Sequence, residues 1–244
     1  MKSNKDTLGQ QILAIHQIME KQNQQAQPLS SYKHPLGIAG DSLEYQTITN
    51  LCLEIKGVEG LVLEIGTRLG GGILRAMQAC VDNDDKNRYF IGIDPYGGIE
   101  YKHGEHSAPA REGHQVDPET RFNRSMMNSF LSSIYNYCYE NDLHYCHHTL
   151  EDSEFMRLFE DGVIIYDKHK HLINKYALII FDGPHDLESV KAETLFFKDR
   201  VSSGGVLIYD DVKDYDHHVI DEMLLEENFT REISQKRKVG YKKK

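Results

Sequence analysis

Two apolar runs, Tyr176-Ala177-Leu178-Ile179-Ile180-Phe181 and Val206-Leu207-Ile208-Tyr209, each stop abruptly on aspartate. Residues 187–200 between them have the length and pattern of a crossover helix. Strand, helix and strand in this order make a βαβ unit with parallel strands. Asp182 and the pair Asp210-Asp211 then fall at the carboxyl ends of neighbouring strands, roughly 4.8 Å apart. Open α/β sheets bind ligands at this edge. Three carboxylates gathered there repel one another unless a cation sits among them.

The rest of the chain extends the same alternation. Leu61–Gly66, Arg88–Asp94 and Leu143–His148 read as strands; 42–55, 70–81, about 119–141 and 152–160 read as helices. Strands alternating with helices predict a parallel sheet covered on both faces. From Phe229 onward, polar and apolar residues alternate as in a short antiparallel pair. The expected fold is therefore α/β and Rossmann-like: a doubly wound, mostly parallel sheet with an antiparallel C-terminal edge and an extra N-terminal helical segment. We divide it into a helical extension over 1–57 and a main domain over 58–244. The Gln-rich stretch 5–25 carries Ile12, Leu13, Ile15, Ile18 and Met19 on one side, to pack on the domain or on a second subunit of a homo-oligomer. The segment 95–118 breaks the alternation and leaves the carboxyl end of the second strand, where it would serve as a lid. Its His103, His106 and His114 match no familiar metal spacing.

The 244 residues carry a net charge of −10, which argues against a nucleic-acid partner. No apolar run approaches the roughly 18 residues of a membrane span, and the start at Met1-Lys2-Ser3-Asn4 does not resemble a signal peptide. Four cysteines without C-x-x-C spacing read as buried hydrophobes in a reducing compartment, by default the cytoplasm.

Leu63-Glu64-Ile65-Gly66-Thr67-Arg68-Leu69-Gly70-Gly71 ends the first strand and opens a helix. Its glycines permit close approach of a ligand to the backbone, beside free N–H groups. The spacing G-x-x-x-G-G differs from the dinucleotide fingerprint, and Glu64 would serve an ammonium better than a pyrophosphate. Asp94, ending the second strand, can accept from ribose hydroxyls or simply start a turn before Pro95. Glu151 and Asp152, after the third strand, can meet an adenine amino group or complement a helix N-terminus.

Together these positions resemble class I S-adenosylmethionine-dependent methyltransferases, through Glu64-x-Gly66-x-x-x-Gly70 and Asp94. Within that class the chain is similar to metal-dependent O-methyltransferases of the macrocin type, through Asp182-Gly183-x-His185, Gly204-Gly205 and Asp210-Asp211. The resemblance covers about residues 60–212. It implies S-adenosylmethionine bound by Glu64, Gly66, Thr67, Arg68, Gly70, Asp94, Glu151 and Asp152. It further implies Mg2+ (or Mn2+) held by Asp182, Asp210 and Asp211, with Asp182 and His185 in the catalytic group and His185 as general base. The acceptor would be a hydroxyl of a small molecule of sugar or natural-product type.

Elementary chemistry agrees. A sulfonium methyl needs no acid assistance, whereas an alcohol is protonated at neutral pH. A hard cation lowers the pKa of a hydroxyl, and an imidazole can take its proton. Two alternatives stay open: a catechol-type O-methyltransferase acting on vicinal phenolic oxygens, and a non-catalytic protein that only binds the nucleotide or takes part in an assembly.

Overall fold

The computed structural model describes residues 44–96 and 124–244. The stretch 5–25, the three lid histidines and nearly all of 95–118 lie outside these residues. The order of elements is α1 (Tyr45–Glu54), β1 (Leu61–Ile65), α2 (Gly71–Asp82), β2 (Tyr89–Ile93), α3 (Arg124–Asn141), β3 (His144–His148) and α4 (Asp152–Leu158). There follow β4 (Val163–Tyr166), β5 (Lys170–Ile173), β6 (Tyr176–Phe181), α5 (Leu187–Phe197), β7 (Val201–Tyr209), α6 (His217–Leu225), β8 (Phe229–Ser234) and β9 (Val239–Lys243).

Seven strands form one sheet in the order β3-β2-β1-β6-β7-β9-β8. From β3 to β7 all pairings are parallel, and β9 runs antiparallel to both β7 and β8. The mostly parallel sheet and its antiparallel C-terminal end are as the sequence predicts. β1 and β6 are buried along their whole length, which explains their unbroken apolar runs: a central parallel strand is covered on both faces. Around them Leu63, Ile91, Phe155, Ile179, Phe197, Leu207 and Tyr241 belong to one buried cluster.

Two elements escape the sequence reading. β4 and β5 form a separate antiparallel hairpin, and α6 follows β7, capped by Asp216, whose side chain accepts from His218 N at 3.3 Å. Asp186 accepts from Ser189 N at 3.0 Å and caps α5 at Leu187, although Pro184 would also suit the first turn of a helix. A carboxylate that satisfies a free helix N–H sets the start more strongly than a proline that only suits the first turn. His185 therefore lies in the loop before the cap.

Candidate active site

Register alone assembles the site. Across the sheet His148 pairs with Ile93, Ile93 with Ile65, Ile65 with Phe181, and Phe181 with Tyr209. The residues one step beyond this row are Thr149, Asp94, Gly66, Asp182 and Asp210, so the strands deliver them side by side at their carboxyl ends. Backbone bonds continue the ladder into the loops: Gly66 N donates to Ile93 O at 2.8 Å, Asp182 N to Ile65 O at 3.0 Å and Asp210 N to Phe181 O at 2.9 Å. Between β1 and β6 the chain order reverses direction, which opens a crevice at that point.

The loop after β1 forms one half. Gly66 has φ 82°, and a Cβ there would overlap the Asp182 carbonyl oxygen. Only glycine lets the two strand ends touch. Asp94 is buried, and its two oxygens accept from Arg68 N at 2.8 Å and Tyr96 N at 2.9 Å. Burial lifts its carboxyl above the ordinary carboxylate range, opposed by these two N–H donors. Thr67 is buried, its hydroxyl 3.2 Å from that of Tyr96. Behind the loop Tyr96, Phe130 and His147 pack ring to ring, with centroids 5.4–6.2 Å apart. Glu151 and Asp152 stand at the start of α4, beyond the end of β3.

Glu64 lies against the first turn of α2, beside Gly72 and Ile73. It is 1 % exposed and accepts from Ile73 N at 3.0 Å. Burial pushes its carboxyl up to about 8, opposed by the Ile73 and Gly72 N–H groups and by the Lys238 charge.

The other half is the acidic wall. The His185 ring stands between two carboxylates, Nε2 3.8 Å from Asp182 Oδ1 and Nδ1 3.7 Å from Asp211 Oδ2. Asp211 adopts φ 47°, held by a hydrogen bond from its own N–H to Asp210 Oδ1 at 2.7 Å. Asp214 N donates to Asp211 O at 2.8 Å; this turn brings the Asp214 carboxylate back toward the wall. One ligand atom each from His185, Asp211 and Asp214 lie within 4.8 Å of one another. Burial, then Asp210, raises the Asp211 carboxyl, and His185 and Arg237 oppose the rise.

Two cations from the turn between β8 and β9 enter this wall. Lys238, fully buried, pairs its Nζ with Asp210 Oδ2. Arg237 Nε donates to Asp211 Oδ1 at 2.6 Å, and its Nη2 pairs with the same oxygen. Both backbone N–H groups of this dipeptide donate to Glu44 Oε2, at 2.9 and 2.8 Å. Of the three acids expected to hold a metal, the structure gives Asp210 to lysine. Asp214, Arg237 and Lys238 are absent from the sequence reading. An available signal was the run Lys236-Arg237-Lys238 ahead of a strand antiparallel to β7, since such a strand begins beside the carboxyl end of β7.

The wall fits a divalent ion. Asp182, Asp210, Asp211 and Asp214 bring four carboxylates against the two cations Lys238 and Arg237, which leaves the wall acidic on balance. The loop half fits a nucleoside, because each oxygen of Asp94 has accepted one hydrogen bond and a carboxylate accepts about four in all.

This strand order, with a glycine loop and an acid at successive strand ends, defines a class I S-adenosylmethionine-dependent methyltransferase fold. The family model described as a methyltransferase domain matches residues 63–212, and the chain belongs to that family. Among solved structures, the O-methyltransferase NovP is 18% identical with a TM-score of 0.53, over 82% of this chain and 78% of its own. CalS11, a calicheamicin methyltransferase, is 12% identical with a TM-score of 0.57, over 99% of this chain and 94% of its own. At these identities the likeness is one of fold. No curated protein matches the chain. Among the described residues no helix is long and apolar enough to cross a membrane.

Proposed function

We propose that this methyltransferase acts on a hydroxyl oxygen of a small polar molecule, of sugar or natural-product type, with S-adenosylmethionine as donor and a divalent cation in the acidic wall. One observation carries the reading: a single register row sets the nucleoside half, Gly66 and Asp94, beside Asp182 and the His185–Asp211 wall. The solved structures it resembles support transfer to oxygen, one being an O-methyltransferase and the other a calicheamicin methyltransferase. Cytoplasmic location suits four free cysteines, two of them with sulfurs 3.5 Å apart.

In this reading the backbone of Gly66, Thr67, Arg68 and Gly70 and the carboxylate of Asp94 hold the nucleoside, with Glu151 and Asp152 at the far end. The bound donor supplies a methyl group on a positive sulfur, transferred as an O–C bond forms and the S–C bond breaks. His185, Asp211 and Asp214 would hold the cation, which lowers the pKa of a hydroxyl set against it. The wall's carboxylates orient the acceptor's O–H and receive its proton. Tyr96, Phe130 and His147 back the loop and keep water from the transfer path.

The test is transfer of isotopically labelled methyl from S-adenosylmethionine to a panel of nucleotide sugars, glycosides, polyols and catechols, read by mass spectrometry with Mn2+ or with EDTA. We expect product from an aliphatic alcohol, suppressed by EDTA. Transfer to catechols alone overturns the acceptor class, and undiminished turnover in EDTA overturns the metal.

A further inference from the structure

We infer that the divalent-cation site of this chain is built from His185, Asp211 and Asp214, with Asp210 withdrawn from it by Lys238 and with Asp182 orienting the histidine. The inference rests on the proposed methyl transfer for its purpose, and on the geometry for its ligands.

Asp210 is committed twice. Oδ1 accepts the Asp211 N–H at 2.7 Å, and Oδ2 holds the Lys238 ammonium. Asp210 is 2 % exposed and Lys238 0 %, so a metal sharing Oδ2 would stand against a buried ammonium, two cations with little solvent to screen their repulsion. The ammonium is also held 5.5 Å from the Tyr45 ring. Asp210 thus acts as the fixed point of the turn, and its bond to Asp211 N keeps Asp211 in the left-handed conformation.

Asp211 and Asp214 are placed differently. Arg237 occupies Oδ1 of Asp211, while Oδ2 faces the His185 ring. The bond from Asp214 N to Asp211 O folds the next carboxylate onto the same side. The outcome is one imidazole nitrogen and two carboxylates whose ligand atoms lie within 4.8 Å. Mg2+ prefers an all-oxygen octahedron, whereas a nitrogen in the set favours Mn2+, Fe2+, Co2+ or Zn2+. Asp182 sits across the ring from Asp211, 3.8 Å from Nε2. At that distance the carboxylate acts on the ring through its charge, on the side where a metal-ligating histidine commonly has an orienting acid.

Titration of the full chain with Mn2+, followed by electron paramagnetic resonance and spin-echo modulation, tests the assignment. We expect one bound Mn2+ whose echo carries the modulation of a directly bonded 14N. His185→Gln should erase that modulation. Asp214→Asn should weaken Mn2+ binding by more than about tenfold, the cost expected for disturbing a metal shell. The double variant Asp210→Asn, Lys238→Met, which removes both members of the ion pair, should keep Mn2+ affinity within about threefold, as for an uncoupled site. Binding of S-adenosylhomocysteine reports whether each variant is folded; if the double variant is not, the nitrogen signal alone decides. Mn2+ bound without that signal, or retained in Asp214→Asn, overturns the assignment, as does a wild-type chain that binds no Mn2+. Failure of the function reading looks different: no labelled methyl reaches any acceptor, while the nitrogen signal stands.

Discussion

Lys238 reaches from the β8–β9 turn to Asp210 at the end of β7, and the ion pair it makes there is buried from solvent. The carboxylates gathered at the sheet edge are thus partly neutralised by the chain itself. Lys238→Met leaves Asp210 charged and uncompensated, and we expect a loss of about 3–5 kcal/mol in unfolding free energy. The double variant with Asp210→Asn should recover much of it. Urea unfolding of the two single variants and the double completes the cycle; additive losses would show that the pair is not coupled.

Glu64 makes stability depend on pH. Its carboxyl sits at about 8 in the fold against an ordinary 4.5. The folded value is the higher one, so the contribution of Glu64 is complete below about 4.5, shrinks as pH rises and is gone above about 8. Lys238 on one side and Asp94 on the other are the charges that face it. Glu64→Gln removes this slope. Between pH 5 and pH 8 the wild type should lose a few kcal/mol relative to the variant, read from urea midpoints at both pH values. Parallel pH profiles would show that Glu64 titrates normally.

Gly66→Ala should damage both structure and binding. At φ 82° the new Cβ meets the Asp182 carbonyl, a backbone atom that cannot swing aside. We expect a cost of about 2–4 kcal/mol, combining left-handed strain with overpacking. Calorimetry should show S-adenosylmethionine affinity falling with it. An alanine variant of wild-type stability would mean that the two strand ends are free to part.

Asp94→Asn tests the nucleoside half. The Arg68 and Tyr96 N–H groups already use one acceptor position on each oxygen, and an amide replaces one of these oxygens with a donor. Affinity for S-adenosylhomocysteine should drop about tenfold or more, the worth of a hydrogen bond to a charged group. Unchanged affinity would move the ribose away from this residue.

The row Asp94, Gly66, Asp182 and Asp210 was legible in the sequence because each follows a run of strand-forming residues that stops at the same place. Period and termination need no knowledge of distant contacts. Arg237 and Lys238 were not legible as site residues. Their partners lie 26 and 28 residues upstream, and a lysine is read as solvated unless its burial is known. The hairpin of β4 and β5 was missed for a related reason: it lies off the main sheet and half its side chains face water. The expected lid over 95–118 and the N-terminal stretch 5–25 fall almost wholly outside the described residues.

The placement of Arg237 and Lys238 gives the site an order of birth. A ribosome makes the chain from its amino end, so Asp182, Asp210, Asp211 and Asp214 all leave it before either cation. Until β9 lies against β7, this edge lacks the two cations that offset part of its charge. Neutralising the acidic edge and closing the sheet thus depend on the same dipeptide.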